Sequence, residues 1–398
     1  MAIPRFIQIS TLTSYSAALL NRDDAGLAKR VRFGGAVRTR VSSQCLKRHW
    51  RTAEDEHALS KVDPSLTLSI RSREVFPRRI APALIETGFP EAAVTRVLSG
   101  FIETLYGKSK ATDGESSLSR KEVIVLGLPE VEFITREARS ILEKCESFED
   151  EKKTAKELDA AAKDYFRNAD VKKNWHALAC GAGLDAAMFG RFISGDPEAR
   201  VSAAVHVAHA LTVHGEAAET DYFTAVDDLT TSSEGGSGHL GAAELTSGVF
   251  YTYAVMDVPQ LVSNITGARP EQWLETDRTL VARTVEHLLH LMAKVSPGAK
   301  LGATAPYDHA GMVLVETGER QPRSLVNAFL APVSLEGDAF RSGVDRLGEY
   351  LESMDGMYGR EEDRWLASRV DAAGFDSCTR CTFPELVKSV ADAIAKGA

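Results

Sequence analysis

Between Arg22 and Arg51 the sequence gathers nine basic residues (Arg22, Lys29, Arg30, Arg32, Arg38, Arg40, Lys47, Arg48 and Arg51) against two acidic ones, Asp23 and Asp24. That local excess of seven sits in a chain whose net charge is −9, so a basic stripe lies on an acidic scaffold. Lys47 and Arg51 are four apart, with Arg48 beside them, which on a helix gives one face able to track successive phosphates. Ser42-Ser43 offers the N-cap of that helix, and a helix start turns backbone N–H groups outward, where an anion can sit. The chemistry available here is neutralisation of a polyanion rather than bond-making. The competing reading of any charge run is a solvated, salt-bridged face.

Other residue patterns invite sharper chemistry and carry less. Asp23-Asp24 is a carboxylate pair without a matched third ligand, so loop capping is preferred to a metal or nuclease centre. Gly236-Ser237-Gly238-His239-Leu240-Gly241 spells G-x-G-x-x-G, but no strand–helix crossover encloses it, and a loop tip is expected. His206, His209 and His214 do not converge if their run is one strand, because His209 then points to the opposite face. His287 and His290 lie in a helical pattern without the H-E-x-x-H spacing, and packing is expected. Cys378-Thr379-Arg380-Cys381 is a lone C-x-x-C with no second pair for zinc. Phe250, Tyr251 and Tyr253 suggest base-stacking aromatics of an RNA-binding sheet, yet the full RNP pattern is missing and core packing is preferred. No cofactor and no metal are expected.

These residues must be positioned by a chain of 398 residues, 44% hydrophobic and 26% charged, long enough for two or three structural units. No apolar run is long enough to span a bilayer, and the start Met1-Ala2-Ile3-Pro4-Arg5 has no signal-peptide pattern. Five cysteines, odd in number and scattered, fit a reducing compartment. A cytoplasmic protein without membrane contact is expected.

Residues 5–13 alternate as a strand. A polar loop hinged at Gly34-Gly35 follows, then the helix after Ser42. Residues 55–184 read as an inserted helical subdomain. The run 203–214 reads as a strand, 215–246 as a hydrophilic excursion, and 247–257 as the strand returning from it. Arg278–Val295 is an amphipathic helix ended by Pro297-Gly298, and Met312–Glu316 is the last clear strand. Without the two excursions the order is βαββαβ, a ferredoxin-like or RRM-like arrangement. The fold class expected is α+β.

Several blocks resemble the CasC family, the Cas-seven-type backbone subunits of type I-E CRISPR Cascade. They are Phe6-Ile7-Gln8-Ile9 through Ser42-Ser43-Gln44-Cys45-Leu46-Lys47-Arg48, then Ala208-His209-Ala210, the run from Asp221 to Leu229, Gly238-His239-Leu240-Gly241 and the run from Ser247 to Ala254. Ser296-Pro297-Gly298-Ala299-Lys300 and Ser324-Leu325-Val326-Asn327-Ala328-Phe329 add weaker matches. Matches are thin over about 60–180 and after about 335.

The resemblance implies a hand-shaped protein: a palm (1–54, 185–214 and 247–398, the last with a C-terminal segment), helical fingers (55–184) and a β-hairpin thumb (215–246). It implies a non-catalytic RNA-binding protein of antiviral defence. By the same resemblance, copies would polymerise head-to-tail along one crRNA, join other Cascade subunits (large, small, crRNA-capping and crRNA-processing) and present bases to target DNA. Arg22, Lys29, Ser42, Gln44, Lys47, Arg48 and Arg51 would bind guide phosphates and sugars. Phe192 would wedge against bases, and Thr224 would lie on the thumb beside a kinked nucleotide. Cys45 stands where family members often carry Ser, and the thumb's 232–236 run is longer than usual. The rivals are a backbone subunit that cuts target RNA through Asp23 or Asp24 and a metal, and a general RNA-binding protein outside CRISPR.

Overall fold

The alternation at 5–13 opens β1 (Phe6–Ala18), whose residues from Ile7 to Thr13 are all buried. A strand with both faces covered lies in the middle of a sheet, not at its rim. The computed structural model describes residues 3–107, 116–168, 181–191, 200–225, 239–371 and 373–395. They form two units, one of residues 1–62, 206–258 and 274–398, the other of 63–205 and 259–273.

The remaining strands are β2 (Arg30–Phe33), β3 (Ala36–Val41), β4 (Ile70–Ser72), β5 (Ile124–Leu126), β6 (Val205–Val207), β7 (Ala210–Thr212), β8 (Ala218–Ala225), β9 (His239–Asp257), β10 (Met312–Gly318), β11 (Asp363–Ser368) and β12 (Thr379–Arg380). In the first unit the sheet runs β12-β11-β10-β1-β9-β7-β3-β2, with β6 and β8 pairing to β9 off that path. Its middle, β10-β1-β9-β7, puts the first strand of a βαββαβ unit between the fourth and the third, which is the ferredoxin-like order. β1 pairs antiparallel with both neighbours, Ile9 opposite Ala254 on one side and Val315 on the other.

Each face of this sheet has its own cover. Leu12, Tyr251, Met312 and Leu314 pack against Phe340, Val344, Leu347 and Leu351 of the helix Ala339–Tyr358. On the other face Leu46 and Trp50 of the helix Ser43–Thr52 converge with Thr13, Phe250, Thr252 and Met292. Trp50 is 1% exposed, and truncating so large a buried side chain costs roughly 3–5 kcal/mol. The aromatic trio of β9 is therefore core: Phe250 and Tyr251 are buried, and so is Tyr253, whose hydroxyl donates to Gln8 Oε1 at 2.9 Å.

In the second unit the helices Glu91–Tyr106, Leu128–Leu142 and Glu151–Arg167 share a core of Val94, Leu98, Phe101, Ile134 and Leu158, beside the antiparallel pair β4–β5. Its bounds differ from the expected 55–184: residues 55–62 group with the first unit, and 185–205 and 259–273 with the second. The reason is local. Buried Asp185 accepts from Ser69 N at 2.6 Å and Ser69 Oγ at 2.7 Å, and it pairs with Arg71.

Three readings of the first unit also change. The polar loop at 30–41 is a β-hairpin, because Gly34 (φ 58°) and Gly35 (φ 79°) supply the two left-handed residues of a tight turn. The run 203–214 is two short strands broken at Ala208-His209. Beyond β10 the chain adds β11, β12 and the helices Ala339–Tyr358 and Phe383–Ala395. Among the described residues, no helix is long and apolar enough to cross a membrane.

Candidate nucleic-acid interface

Ser42 is the N-cap of the helix Ser43–Thr52, in extended backbone, with its Oγ accepting from Cys45 N at 3.3 Å. Its own N–H donates to Asn21 Oδ1 at 2.9 Å, and the Asn21 carbonyl accepts from Lys29 N at 2.9 Å. One residue thus ties the Lys29 loop to the helix start. The next helical N–H, of Ser43, donates to His209 Nδ1 at 3.2 Å. The first-turn amides of Ser43 and Cys45 are therefore satisfied within the chain, and the helix start is less open to an anion than the sequence implies. The far end of the first turn is pinned as well: His49 Nδ1 donates to Cys45 O at 2.8 Å, and His49 Nε2 accepts from Gly298 N at 3.3 Å.

The cations around this scaffold separate into two kinds. Arg30 is ion-paired to Glu216 and Glu244. Arg38 is buried and donates to the carbonyls of Phe33, Thr212 and Phe329 at 3.2, 3.1 and 2.7 Å. Both are struts of the fold, so the surface excess is smaller than the count over 22–51. Arg22, Gln44 and Arg48 are exposed, Lys29, Lys47 and Arg51 half-buried, and Ser42 buried. Lys47 and Arg51 each have an interaction partner within the chain.

Two titratable neighbours report how close the cations stand. Burial, and then the charges of Arg40, Lys29 and Lys47, push the pKa of His209 below its ordinary value. Burial raises that of the Cys45 thiol, while Lys29 and Arg48 act against it. Lys29 is thus within electrostatic reach of both residues, which links it to Arg48 through Cys45 and to Lys47 and Arg40 through His209. Arg40 and His209 belong to this patch, although neither stood among the expected contacts. Arg40 donates from Nε to Arg30 O and from Nη1 to His209 Nδ1, both at 3.3 Å. The sequence signal for both was present: Arg40 in the basic run and His209 in the 208–210 block.

Thr224 is exposed on β8, opposite Leu240 of β9. Its neighbour Phe223 lies over Gly241, where an added Cβ would fall 2.3 Å from the ring, and Lys300 Nζ stands 6.0 Å from the ring centroid. Phe192 and the 226–238 segment lie outside the described residues.

The remaining patterns resolve physically. Asp23 Oδ1 accepts from Ala25 N and Leu27 N, both at 3.0 Å, as a loop cap. The end of the glycine motif enters strand β9 rather than opening a helix. His214 is buried, with Nε2 accepting from Val249 N at 3.0 Å. His290 stacks on His57 at 3.5 Å between centroids. Cys378 and Cys381 are free thiols. Among the described residues no three or more His, Cys, Asp or Glu are grouped to hold a metal ion.

The family model of CT1975-like proteins matches residues 7–395. The chain belongs to the CT1975-like protein family. This CT1975-like protein is similar in structure to a chain of a "CRISPR RNA-guided surveillance complex, pre-nicking", at 25% identity and TM-score 0.76, covering 98% of this chain and 100% of that one. A second similar chain, from a "CRISPR RNA-guided surveillance complex", is 22% identical with TM-score 0.66, covers 98% and 99%, and shows the fold alone. No curated protein sequence matches it.

Proposed function

We propose that this CT1975-like protein is a non-catalytic backbone subunit of a type I-E CRISPR surveillance complex, acting in the cytoplasm and coating the crRNA. The observation that carries this reading is the cationic patch of Lys29, Arg40, Lys47 and Arg48 built around one helix start, in a chain similar over its whole length to a surveillance-complex chain. Contacts to sugar and phosphate hold a guide without regard to its sequence, and the bases stay free to pair with target DNA. Copies follow one another along the guide, with the β8–β9 hairpin reaching toward the next copy, and the large, small, capping and processing subunits complete the assembly. Nothing in this role makes or breaks a bond.

The test is to purify the chain with its companion subunits and sequence the RNA that comes with it. Uniform short guides sharing a repeat-derived handle are expected; a heterogeneous pool would overturn the assignment. The same particles, given complementary RNA and a divalent metal, should leave it intact. Regularly spaced products would instead make Asp23 or Asp24 catalytic.

A further inference from the structure

His209 is exposed, yet its Nδ1 is committed twice: Ser43 N–H lies 3.2 Å away and Arg40 Nη1 3.3 Å away. Backbone N–H and guanidinium can only donate, so Nδ1 carries no proton. The ring is neutral, and its proton sits on Nε2. One imidazole thereby couples the helix start to β3, and the second bond of Arg40, from Nε to Arg30 O, fixes the plane of the guanidinium. The charged groups acting on the ring, Arg40 from β3, Lys29 from the loop and Lys47 from the helix, are all cations. An N–H donor on an exposed ring that stands among cations suits a phosphate oxygen, which accepts from the donor and is attracted by the charges.

We propose that Lys29, Arg40, Lys47 and His209 hold one phosphodiester of the bound polynucleotide, with the Nε2–H of His209 donating to a phosphate oxygen. On this view Nδ1 positions Arg40 and the helix, while Nε2–H is the contact. The proposal rests on the RNA-binding reading above.

Two substitutions separate these duties. His209→Asn keeps an acceptor near the Nδ1 place but no donor reaching Nε2; His209→Gln carries an amide N–H out to the Nε2 place. Anisotropy titrations of the full chain with a mixed-sequence single-stranded RNA, over a series of salt concentrations, read the outcome. His209→Asn should melt as the parent does and bind about tenfold more weakly, the size of one hydrogen bond. Its salt slope should not change, because no charge is lost. His209→Gln should recover most of the affinity. Arg40→Gln should make the log–log salt slope shallower by about 0.7, one phosphate contact on a single strand. Parent-like binding by His209→Asn would overturn the Nε2 contact, and an unchanged slope in Arg40→Gln would overturn the site. A parent chain that binds no RNA at any salt would overturn the RNA-binding reading itself, and this proposal with it.

Discussion

Asn21 accepts the backbone N–H of Ser42 through its side-chain oxygen at 2.9 Å, while its carbonyl accepts the N–H of Lys29 at the same distance. The spacing between the Lys29 loop and the helix bearing Lys47 and Arg48 is therefore set by one uncharged residue. Asn21→Ala removes one buried-side acceptor, a loss of about 1 kcal/mol. Amide exchange should accelerate at Ser42 and Cys45, and melting should drop only slightly. If exchange at Ser42 keeps its parent rate, the helix start holds itself and Asn21 is no bracket.

Lys47→Ala combined with Arg48→Ala removes two cations from the helix without touching the cap. RNA affinity should fall, and the slope of log affinity against log salt should become shallower by roughly 1.4, two single-strand phosphate contacts. The measurement is a titration at several salt concentrations. A slope equal to the parent's would take this helix out of the interface.

Arg38 shows why the basic run could not be converted directly into a binding surface. Its guanidinium is 0% exposed and serves three carbonyls on separate segments. Glu216 and Glu244, which neutralise Arg30, stand 186 and 214 residues away in the chain. Counting charges along a sequence sees side chains and not their distant partners. The legible parts were those whose signal is local: the alternation of β1, the Ser42 cap and the amphipathic helix at 279–294. β12 has two residues at the sheet edge and β11 only six beside it, so little periodicity accumulates. Gly34-Gly35 carries a turn signal in the sequence, but the flanking β2 and β3 are four and six residues long and show too little alternation to stand out as strands. His209 sat in a block that resembled a family, but its duty depends on a bond to Ser43, 166 residues earlier.

Replacing Arg38 tests the strut directly. Arg38→Met keeps the bulk and leaves the carbonyls of Phe33, Thr212 and Phe329 without their donor. The expected cost is about 3–5 kcal/mol, since each buried acceptor left unpaired costs about 1–3 kcal/mol, seen as a lower denaturant midpoint. Arg32→Met, on the exposed face of the neighbouring strand β2, should change it by less than about 0.5 kcal/mol. Equal effects would mean that Arg38 is not the strut the geometry makes it.

The end of the β8–β9 hairpin nearer Ala225 and His239 offers a different test, because Gly241 leaves the space that Phe223 fills. An added methyl would meet the ring at 2.3 Å, well inside van der Waals contact, so the ring must move. Gly241→Ala should displace Phe223 from Lys300, which lies at the outer limit of a cation–π contact. The ten-stranded sheet should keep its melting temperature, since among the described residues β8 pairs with β9 alone. Assemblies on guide RNA should become shorter in electron micrographs. Particles of parent length would separate this end of the hairpin from assembly.

Acid should destabilise the fold through its histidines before its carboxylates protonate. His290 stacks on His57 at 17° between ring planes and meets the Phe383 ring at 5.1 Å. Burial first, then the charges of His57 and Lys294, lower its pKa from 6.5 to about 4. His57, His209 and His214 are also lowered, each chiefly by burial. Between pH 6.5 and about 4 the unfolded chain therefore binds more protons than the folded one, and stability must fall as pH falls. Above the ordinary histidine range both states are neutral at these positions, and the dependence vanishes. Melting temperature should be flat from pH 8 to 7 and then decline steadily toward pH 4, with His290 the largest single histidine contribution. His290→Phe keeps a stacking ring without the titration, so its decline should be visibly shallower than the parent's. A parent protein whose melting does not change between pH 7 and 5 would show that these rings take up protons in the folded state as readily as in the unfolded one.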